Sequence, residues 1–372
     1  MNNIKQVSVV GVGRLGLCLA LNLERSGYHV IGVDKNIPYI SSLNNKTFTS
    51  SEPSVDKFLR ESKNFTVYSD LKECLVSDTI FIVLPTPSLP SGKYNHQHID
   101  DVIRELISFG IQPTKKYLVI SSTVDPGYCD KTYAMIKDYN YEIVYNPEFI
   151  AQGSIIRDQL SPDIILLGFA PDSGGQMVET IYETMCINQP VICKMSLMEA
   201  EITKIALNCF ITTKIAYANM VGDIVNRLEL SPYRVLNAIG LDARIGNKCL
   251  EYGFGFGGPC FPRDNRAFGT FCEEHGIYPH ISYATDNSNK SHLIYQLEDF
   301  YANNPDQSKE ILFESVTYKP NTDIIEESQK LKFAVELQRL GYKIRIKDSA
   351  NVISQLKQLY GDKFSYETST NV

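Results

Sequence analysis

Nine cysteines are scattered along this chain, and one of them stands in surroundings suited to reactivity. Residues 253–264 read Gly-Phe-Gly-Phe-Gly-Gly-Pro-Cys-Phe-Pro-Arg-Asp. The glycines and two prolines give the stretch little helical or strand character, which predicts a shaped loop. Cys260 comes near its far end, where glycines remove side chains that would crowd a sulfur. Arg263 supplies a cation that favours a thiolate, and Asp264 a carboxylate able to hold a lysine or a water. A cysteine is most often a small buried hydrophobe. These neighbours point instead to a catalytic thiol.

Two polar residues elsewhere could serve such a thiol. Between 196 and 228 the apolar residues Ile202, Ile205, Cys209, Ile211, Ile215 and Ala218 recur at helical spacing. They predict a helix of about 30 residues, roughly 45 Å long. A helix of that length spans between domains or forms a dimer seam. Lys204 and Asn208 interrupt its apolar surface one turn apart. A lysine there is commonly a solvated surface residue; with an asparagine one turn on, the pair also reads as an oxyanion or carbonyl site.

The elements that would position a cofactor lie at the N-terminus. A short apolar strand at 7–10 runs straight into Gly11-Val12-Gly13-Arg14-Leu15-Gly16. A helix at 17–25 follows, then Gly27 and a second strand at 29–33 that ends in Asp34. This is the dinucleotide fingerprint with its acidic residue in place. Gly11 permits the tight turn, Gly13 lets a pyrophosphate approach the backbone, and Gly16 lets helix and strand pack closely. The helix start offers N–H groups to the phosphates. Asp34 can accept from both ribose hydroxyls and repels a 2′-phosphate, which favours NAD over NADP, with Lys35 weakening the preference slightly.

Further strands at 79–84, 118–121 and 142–145 are apolar throughout, as strands buried on both faces should be. Their tails carry Thr86, Thr123 and Glu148, on the side of a doubly wound sheet where ligands bind. Each could equally be ordinary turn chemistry. After the thiol loop, 268–275 reads as helix and 277–289 as less regular, with the clearest linker at 303–306. A second alternating unit follows: strand 310–318, helix 327–340 and strand 342–346, then one more helix at 352–360 and little else. The fold expected is α/β: an N-terminal Rossmann-like sheet (1–195), a long central helix with a helical, dimer-forming middle (196–300), and a short second Rossmann-like domain (301–372).

Composition excludes other classes. With 372 residues, 43% hydrophobic and 21% charged, the chain is a globular protein of two or three domains. A formal charge of -7 without a basic cluster argues against a nucleic-acid partner. No run approaches the ~20 apolar residues of a membrane span, and the start leaves no room for a signal peptide. An odd number of cysteines with no C-x-x-C pair argues against disulfides and against a metal site, and for a reducing cytoplasm.

Taken together the chain resembles the UDP-glucose/GDP-mannose dehydrogenase family over residues 5–348. The motifs that carry the likeness are Gly11 to Gly16, Thr86-Pro87, Ser122-Thr123-Val124, Asn146-Pro147-Glu148-Phe149, 201–208, 241–246, 253–264 and 319–323. The resemblance implies an NAD-dependent, two-step oxidation of the C6 hydroxymethyl of a nucleotide sugar, with UDP-glucose going to UDP-glucuronate. Cys260 would capture the C6 aldehyde as a thiohemiacetal that becomes a thioester. Lys204 and Asn208 would polarise the C6 oxygen, Asp264 hold the lysine and water network, Thr123 position water, and Glu148 take part in thioester hydrolysis. It also implies a cofactor set of Gly11, Val12, Gly13, Arg14, Leu15, Gly16, Asp34, Lys35, Thr86, Thr123, Glu148 and Arg263. Phe149, Ile150, Tyr252, Phe254, Phe256, Gly257 and Lys319 would line the sugar nucleotide, and Arg244 would reach a partner subunit's substrate. The chemistry is coherent from below, since one covalent intermediate lets a single cofactor site perform two oxidations without releasing the aldehyde.

The chain departs from the family at Pro259, Arg263, Asp125 and Ile164, and more heavily at Ser315 for glycine, Glu326 for an arginine near the cofactor, and Gln329 for proline. A carboxylate for a guanidinium beside an anionic ligand replaces attraction with repulsion. Alternatives therefore stay open: GDP-mannose or another UDP-hexose as substrate, or a nucleotide-sugar-binding relative with reduced turnover.

Overall fold

The computed structural model describes residues 5–150, 152–171 and 175–369, in two units, Met1–Lys204 and Ile205–Val372. The first unit alternates strands and helices: β1 (Gln6–Val10), α1 (Arg14–Arg25), β2 (His29–Val33), α2 (Ile37–Asn44), α3 (Val55–Glu61), β3 (Phe65–Tyr68), β4 (Thr79–Ile82), α4 (Gln97–Ser108), β5 (Lys116–Ile120), α5 (Tyr128–Ile136), β6 (Tyr141–Tyr145), α6 (Ile155–Leu160), β7 (Ile164–Phe169), α7 (Gln176–Met185) and β8 (Val191–Ser196). They form one sheet in the order β3-β2-β1-β4-β5-β6-β7-β8, parallel except where β7 meets β6. Successive residues of the central strands serve opposite faces. Phe81, Val119 and Val144 enter one core with α1 and α7; Ile80, Ile82, Leu118, Ile120 and Ile143 enter the other with α4 and α5. This double burial explains their unbroken apolar runs. The order reverses at β1 and β4, which puts the ligand crevice beyond Val10 and Ile82.

The long helix α8 (Leu197–Arg227) has the predicted extent, and the division between the units falls inside it. The second unit continues with α9 (Pro232–Gly240), α10 (Phe261–Glu274), α11 (His280–Asn303), β9 (Glu310–Phe313), α12 (Gln329–Arg339), β10 (Lys343–Asp348), α13 (Ala350–Tyr360) and β11 (Ser365–Thr368). Its sheet is parallel, in the order β11-β10-β9. Leu331, Phe333, Leu337, Ile344, Ile346, Val352 and Leu356 fill its core, with Leu293, Leu297 and Phe300 of α11 packed against it.

Three sequence expectations need correction here. The stretch 277–289 is not irregular: most of it belongs to the 24-residue α11. Its Asn, Ser and Asp residues have weak helical propensity, but Leu293, Leu297 and Phe300 anchor it by packing, which overrides propensity. The chain after α13 makes a third strand, β11, in register with β10. The first strand of this unit stops at Phe313, because the Val316 N–H turns to the Asp348 carboxylate at 3.0 Å. Among the described residues no helix is long and apolar enough to cross a membrane, and all nine cysteines are free.

Candidate active site

The dinucleotide end of the first unit is shaped by close approaches. Gly11 has φ +89°, and a Cβ there would lie 2.4 Å from the Val83 carbonyl oxygen. A Cβ on Gly16 would lie 2.0 Å from the Gly11 carbonyl oxygen. Gly13 differs: among the described residues nothing lies within 4 Å of its would-be Cβ. The α1 N-terminus beside it has no side-chain cap and no acidic residue in its first turn. Open space over a bare helix N-terminus suits a pyrophosphate. Asp34 closes β2, half-buried, with Oδ1 accepting the Asn36 N–H at 3.0 Å; Lys35 is exposed. Val12 is fully buried and Leu15 packs on the same core, so what they offer a cofactor is main chain. The Arg14 guanidinium donates to the Gln152 side chain at 2.8 Å. These residues fit NAD.

The tails of β4, β5 and β6 are tied together. The Thr86 hydroxyl donates to the Thr123 carbonyl at 2.7 Å. Ser122 links both ways to Leu84, accepting its N–H and donating to its carbonyl. Glu148 has its carboxyl packed into protein, and burial pushes its pKa up to about 7, against the lowering effects of Gln159 and Lys204. The Gln159 amide donates to Glu148 at 3.3 Å and accepts from Asn22 at 3.0 Å. Lys204, buried on α8, donates to the Glu148 carbonyl at 2.7 Å, with its ammonium 4.6 Å from the Phe149 ring centre. Ile150 packs on the core; Ala151, which ends that motif, lies outside the described residues. One turn before Lys204, the buried Glu201 accepts the N–H groups of Gly127 and Cys129 at 2.6 and 2.7 Å, at the start of α5. Gln159 and Asn22 escaped the sequence reading, and Glu201, which opens the 201–208 motif, was given no role there.

In the second unit the thiol stands at a helix start. The reading of 253–264 as loop throughout is corrected: α10 begins at Phe261, so Arg263 and Asp264 occupy its first turn. Pro262 is harmless there, because a first-turn residue needs no N–H partner. Cys260 is the N-cap residue, exposed, with its carbonyl accepting the Asp264 N–H at 2.8 Å. A helix N-terminus favours the thiolate over the thiol. Asp264, fully buried, accepts from the Asn208 amide at 2.6 Å and from Arg263 at 3.2 Å. The structure thus brings together Asn208, Asp264, Arg263 and Cys260.

Glycine is required along the approach to Cys260. A Cβ on Gly255 would meet Asn289 Oδ1 at 2.1 Å, one on Gly257 the Glu327 carbonyl at 2.3 Å, and one on Gly258 the Tyr318 ring at 2.6 Å. Phe256 is buried. Phe254 is partly exposed, edge-on to Phe333. The Tyr252 hydroxyl donates to Asp223 at 3.0 Å, and its ring covers Gly222, where a Cβ would come within 1.9 Å. Arg244 is exposed and makes a two-pronged pair with Asp242. Lys319 Nζ lies 5.7 Å from the Tyr318 ring centre.

A parallel sheet that reverses at β1 and β4, with room over Gly13 and a carboxylate ending β2, defines a nicotinamide-dinucleotide oxidoreductase. Comparison with known proteins narrows the class. The chain belongs to the UDP-glucose/GDP-mannose dehydrogenase family: the family's NAD binding domain matches residues 5–186 and its central domain residues 198–291. It is 29% identical over 337 residues to the UDP-glucose 6-dehydrogenase of Rickettsia prowazekii (strain Madrid E), covering 88% of this chain and 76% of that one. It is 30% identical over 364 residues to the putative UDP-glucose 6-dehydrogenase YtcA of Bacillus subtilis (strain 168), covering 94% and 83%. A solved UDP-glucose dehydrogenase from the archaeon Pyrobaculum islandicum superposes with a TM-score of 0.89 at 27% identity, over 98% of this chain and 86% of that one.

Proposed function

We propose that the chain oxidises the C6 hydroxymethyl of UDP-glucose to the carboxylate of UDP-glucuronate in two steps. The observation that carries this reading is Cys260 at the α10 N-terminus, with its helix turn tied through the buried Asp264 to Asn208. Two NAD molecules, bound in turn, would each supply the hydride acceptor for one oxidation, with the C6 hydroxyl proton passing to solvent in the first. After the first, the Cys260 thiolate adds to the C6 aldehyde, forming a C–S bond and placing negative charge on the former carbonyl oxygen. Lys204 and Asn208, both on α8, are the donors assigned to that oxygen. Loss of the second hydride from C6 leaves a thioester. Water then attacks it and the C–S bond breaks, giving the carboxylate and regenerating the thiolate, with one of the two protons released taken by Glu148 and the other passing to solvent. A carboxyl held near 7 is suited to that exchange at neutral pH.

Thr123 is assigned to water positioning and Asp264 to holding the lysine and water network. Thr86, Arg263 and the Gly11–Gly16 turn are assigned to the cofactor. Phe149, Ile150, Tyr252, Phe254, Phe256, Gly257, Lys319 and a partner's Arg244 are assigned to the sugar nucleotide. Functionally the chain is read as three parts, 1–195, 196–300 and 301–372, working in the cytoplasm as a homodimer. An exposed apolar stripe on α8 supports the dimer: Phe210, Tyr217, Met220 and Ile224 are 49–71% exposed. They fall on one helical face.

The test is to mix the protein, NAD and UDP-glucose and follow NADH absorbance, with UDP-galactose, GDP-mannose and UDP-N-acetyl sugars in parallel. Two NADH per UDP-glucose supports the reading, and turnover of GDP-mannose or another UDP-hexose alone redirects it. Binding without NADH supports a second reading, a nucleotide-sugar binder of low turnover. The exposed Glu326 in place of the family's arginine favours that one.

A further inference from the structure

Two helices grip the start of the thiol loop through polar side chains. From α11, Asn289, His292 and Gln296 fall at i, i+3 and i+7, on one face. The Asn289 amide pairs with both main-chain groups of Phe256, accepting its N–H at 3.0 Å and donating to its carbonyl at 2.9 Å. Gln296 donates to the Gly253 carbonyl at 3.1 Å. From α8, Asn219 accepts the Gly253 N–H at 3.1 Å. His292, 2% exposed, joins the two helices. Its Nε2 lies 2.6 Å from the Gly253 carbonyl, and its Nδ1 lies 2.8 and 2.9 Å from the two Asp223 oxygens.

Counting hydrogens at His292 gives a definite answer. A carbonyl oxygen can only accept, and a carboxylate can only accept. The Nε2 contact is then a hydrogen bond only if Nε2 carries a hydrogen, and the Nδ1 contact needs a second hydrogen, on Nδ1 or on the Asp223 carboxyl. The pair needs one proton more than a neutral imidazole beside a carboxylate, whichever partner holds it. Tyr252 does not supply it. Its hydroxyl donates to Asp223, and burial, with Asp223, Tyr295 and Asp299 nearby, holds it far above its ordinary range as a donor. Without the extra proton, one lone pair of the buried His292 ring would point at an oxygen lone pair.

We propose that His292 is a positioning residue for the Cys260 loop, and that it holds the Gly253 end only while the His292–Asp223 pair carries this shared proton. The proposal rests on the reading of Cys260 as the reacting thiol. The loop keeps its other anchors, the Asn289 pair on Phe256 and the Gly258 N–H on the Glu326 carbonyl at 3.1 Å. Losing the proton therefore loosens the loop at one end and does not unfold it.

The test is hydrogen exchange of the 253–260 segment in the full chain, read by mass spectrometry and corrected for intrinsic rates, across a pH series on both sides of neutrality. Wild type is expected to show a step of at least about 10-fold faster exchange as pH rises, the size of one charge-assisted hydrogen bond. Its kcat is expected to fall along the same step. Asp223→Asn is the discriminating variant. Its amide can donate to a bare Nδ1 and still accept from Tyr252, which leaves Nε2–H for Gly253 with a neutral ring. In that variant the step should vanish and the loop stay protected at high pH. A flat wild-type curve, or the same step in Asp223→Asn, overturns the proposal; if the variant does not fold, the wild-type curve alone decides. Cys260→Ser run beside them separates the two claims. Undiminished turnover there removes the thiol reading and leaves the exchange result standing.

Discussion

In a Glu148→Gln variant a carboxyl is exchanged for an amide of the same shape that can still accept from Gln159. Burial raises the Glu148 pKa from an ordinary 4.5 to about 7, so the folded chain holds this proton more tightly than the unfolded chain does. The ionised form then costs folding stability. With a raised carboxyl the favourable state is the protonated one. No penalty exists well below the unfolded value of 4.5, it grows as pH rises towards 7, and it is constant above that. The full gap is worth about 3 kcal/mol at ~1.4 kcal/mol per pH unit, of which about 2–3 kcal/mol appears between about pH 5 and 8. Glu201, which burial also raises to about 7, titrates in the same window, but it does so in both proteins and cancels in their difference.

The assay is urea denaturation of both proteins across that range. Far-UV circular dichroism is the probe, because the chain has no tryptophan. The stability of Glu148→Gln relative to wild type should grow as pH rises from 5 to 7 and then level off. A difference that stays constant would refute the reasoning, because Glu148 would then ionise like a solvated carboxylate. Its assignment as a proton acceptor poised near neutrality would lose its physical basis.

Other expectations follow from the same geometry. Cys260→Ser should still bind nucleotide sugar and NAD while steady-state turnover falls at least about 10³-fold, as loss of a nucleophile does; mass spectrometry of Glu148→Gln during turnover should show a thioester-sized adduct on Cys260, and none if the thiol is structural. Gly13→Ala should leave the thermal midpoint of the free chain nearly unchanged, since among the described residues its Cβ meets nothing within 4 Å, yet weaken NAD binding measured by calorimetry; unchanged affinity would remove the pyrophosphate from that space. The chain should sediment as a dimer or larger at micromolar concentration, and Ile224→Glu, on the exposed α8 stripe, should shift it towards monomer. A wild-type monomer at that concentration would end the dimer reading.

What was legible in the sequence followed from residues whose local conformation and role coincide. Gly11 and Gly16 are glycines because the backbone comes within about one bond-and-a-half of their missing Cβ atoms. The strands β4 to β6 are mostly apolar because both faces are covered. The long helix α8 was visible because nothing in it breaks a helix before Gly222, and Gly222 is there to admit the Tyr252 ring. What was missed depends on partners distant in the chain. Asn289, His292 and Gln296 read as a polar, poorly helical stretch until the loop they hold is placed beside them. The Asn22–Gln159–Glu148 chain joins residues 137 and 11 positions apart, and no periodicity connects them. Pro262 misled in the other direction, since a proline that breaks a helix interior is compatible with its first turn.

The departures from the family pattern divide in the same physical terms. Ser315 has a role that glycine could not fill: its hydroxyl bonds the Asp348 carboxylate at 3.1 Å and Thr317 at 2.9 Å, bracing the turn after β9. Gln329 in place of proline costs little, because it occupies the first turn of α12 behind the Ser328 cap, where an N–H needs no helical partner. Asp125 accepts the Tyr94 N–H at 3.2 Å, while its own N–H goes to the His96 ring at 3.3 Å. Burial lowers the His96 pKa to about 4, which keeps that ring neutral and able to accept. Ser315 and Asp125 are answered by local bonds, and Gln329 by its place in a first turn. Glu326 differs, since only its main-chain carbonyl is used to anchor the thiol loop, through Gly258, while its side chain is exposed. Arginine or glutamate can stand there with the loop equally anchored. The exchange therefore alters the charge that an anionic ligand meets and leaves the fold alone, and at an exposed position that charge is screened by salt within about 8 Å at physiological ionic strength. On the proposed reading its effect belongs to ligand affinity, separate from the bond making assigned to Cys260.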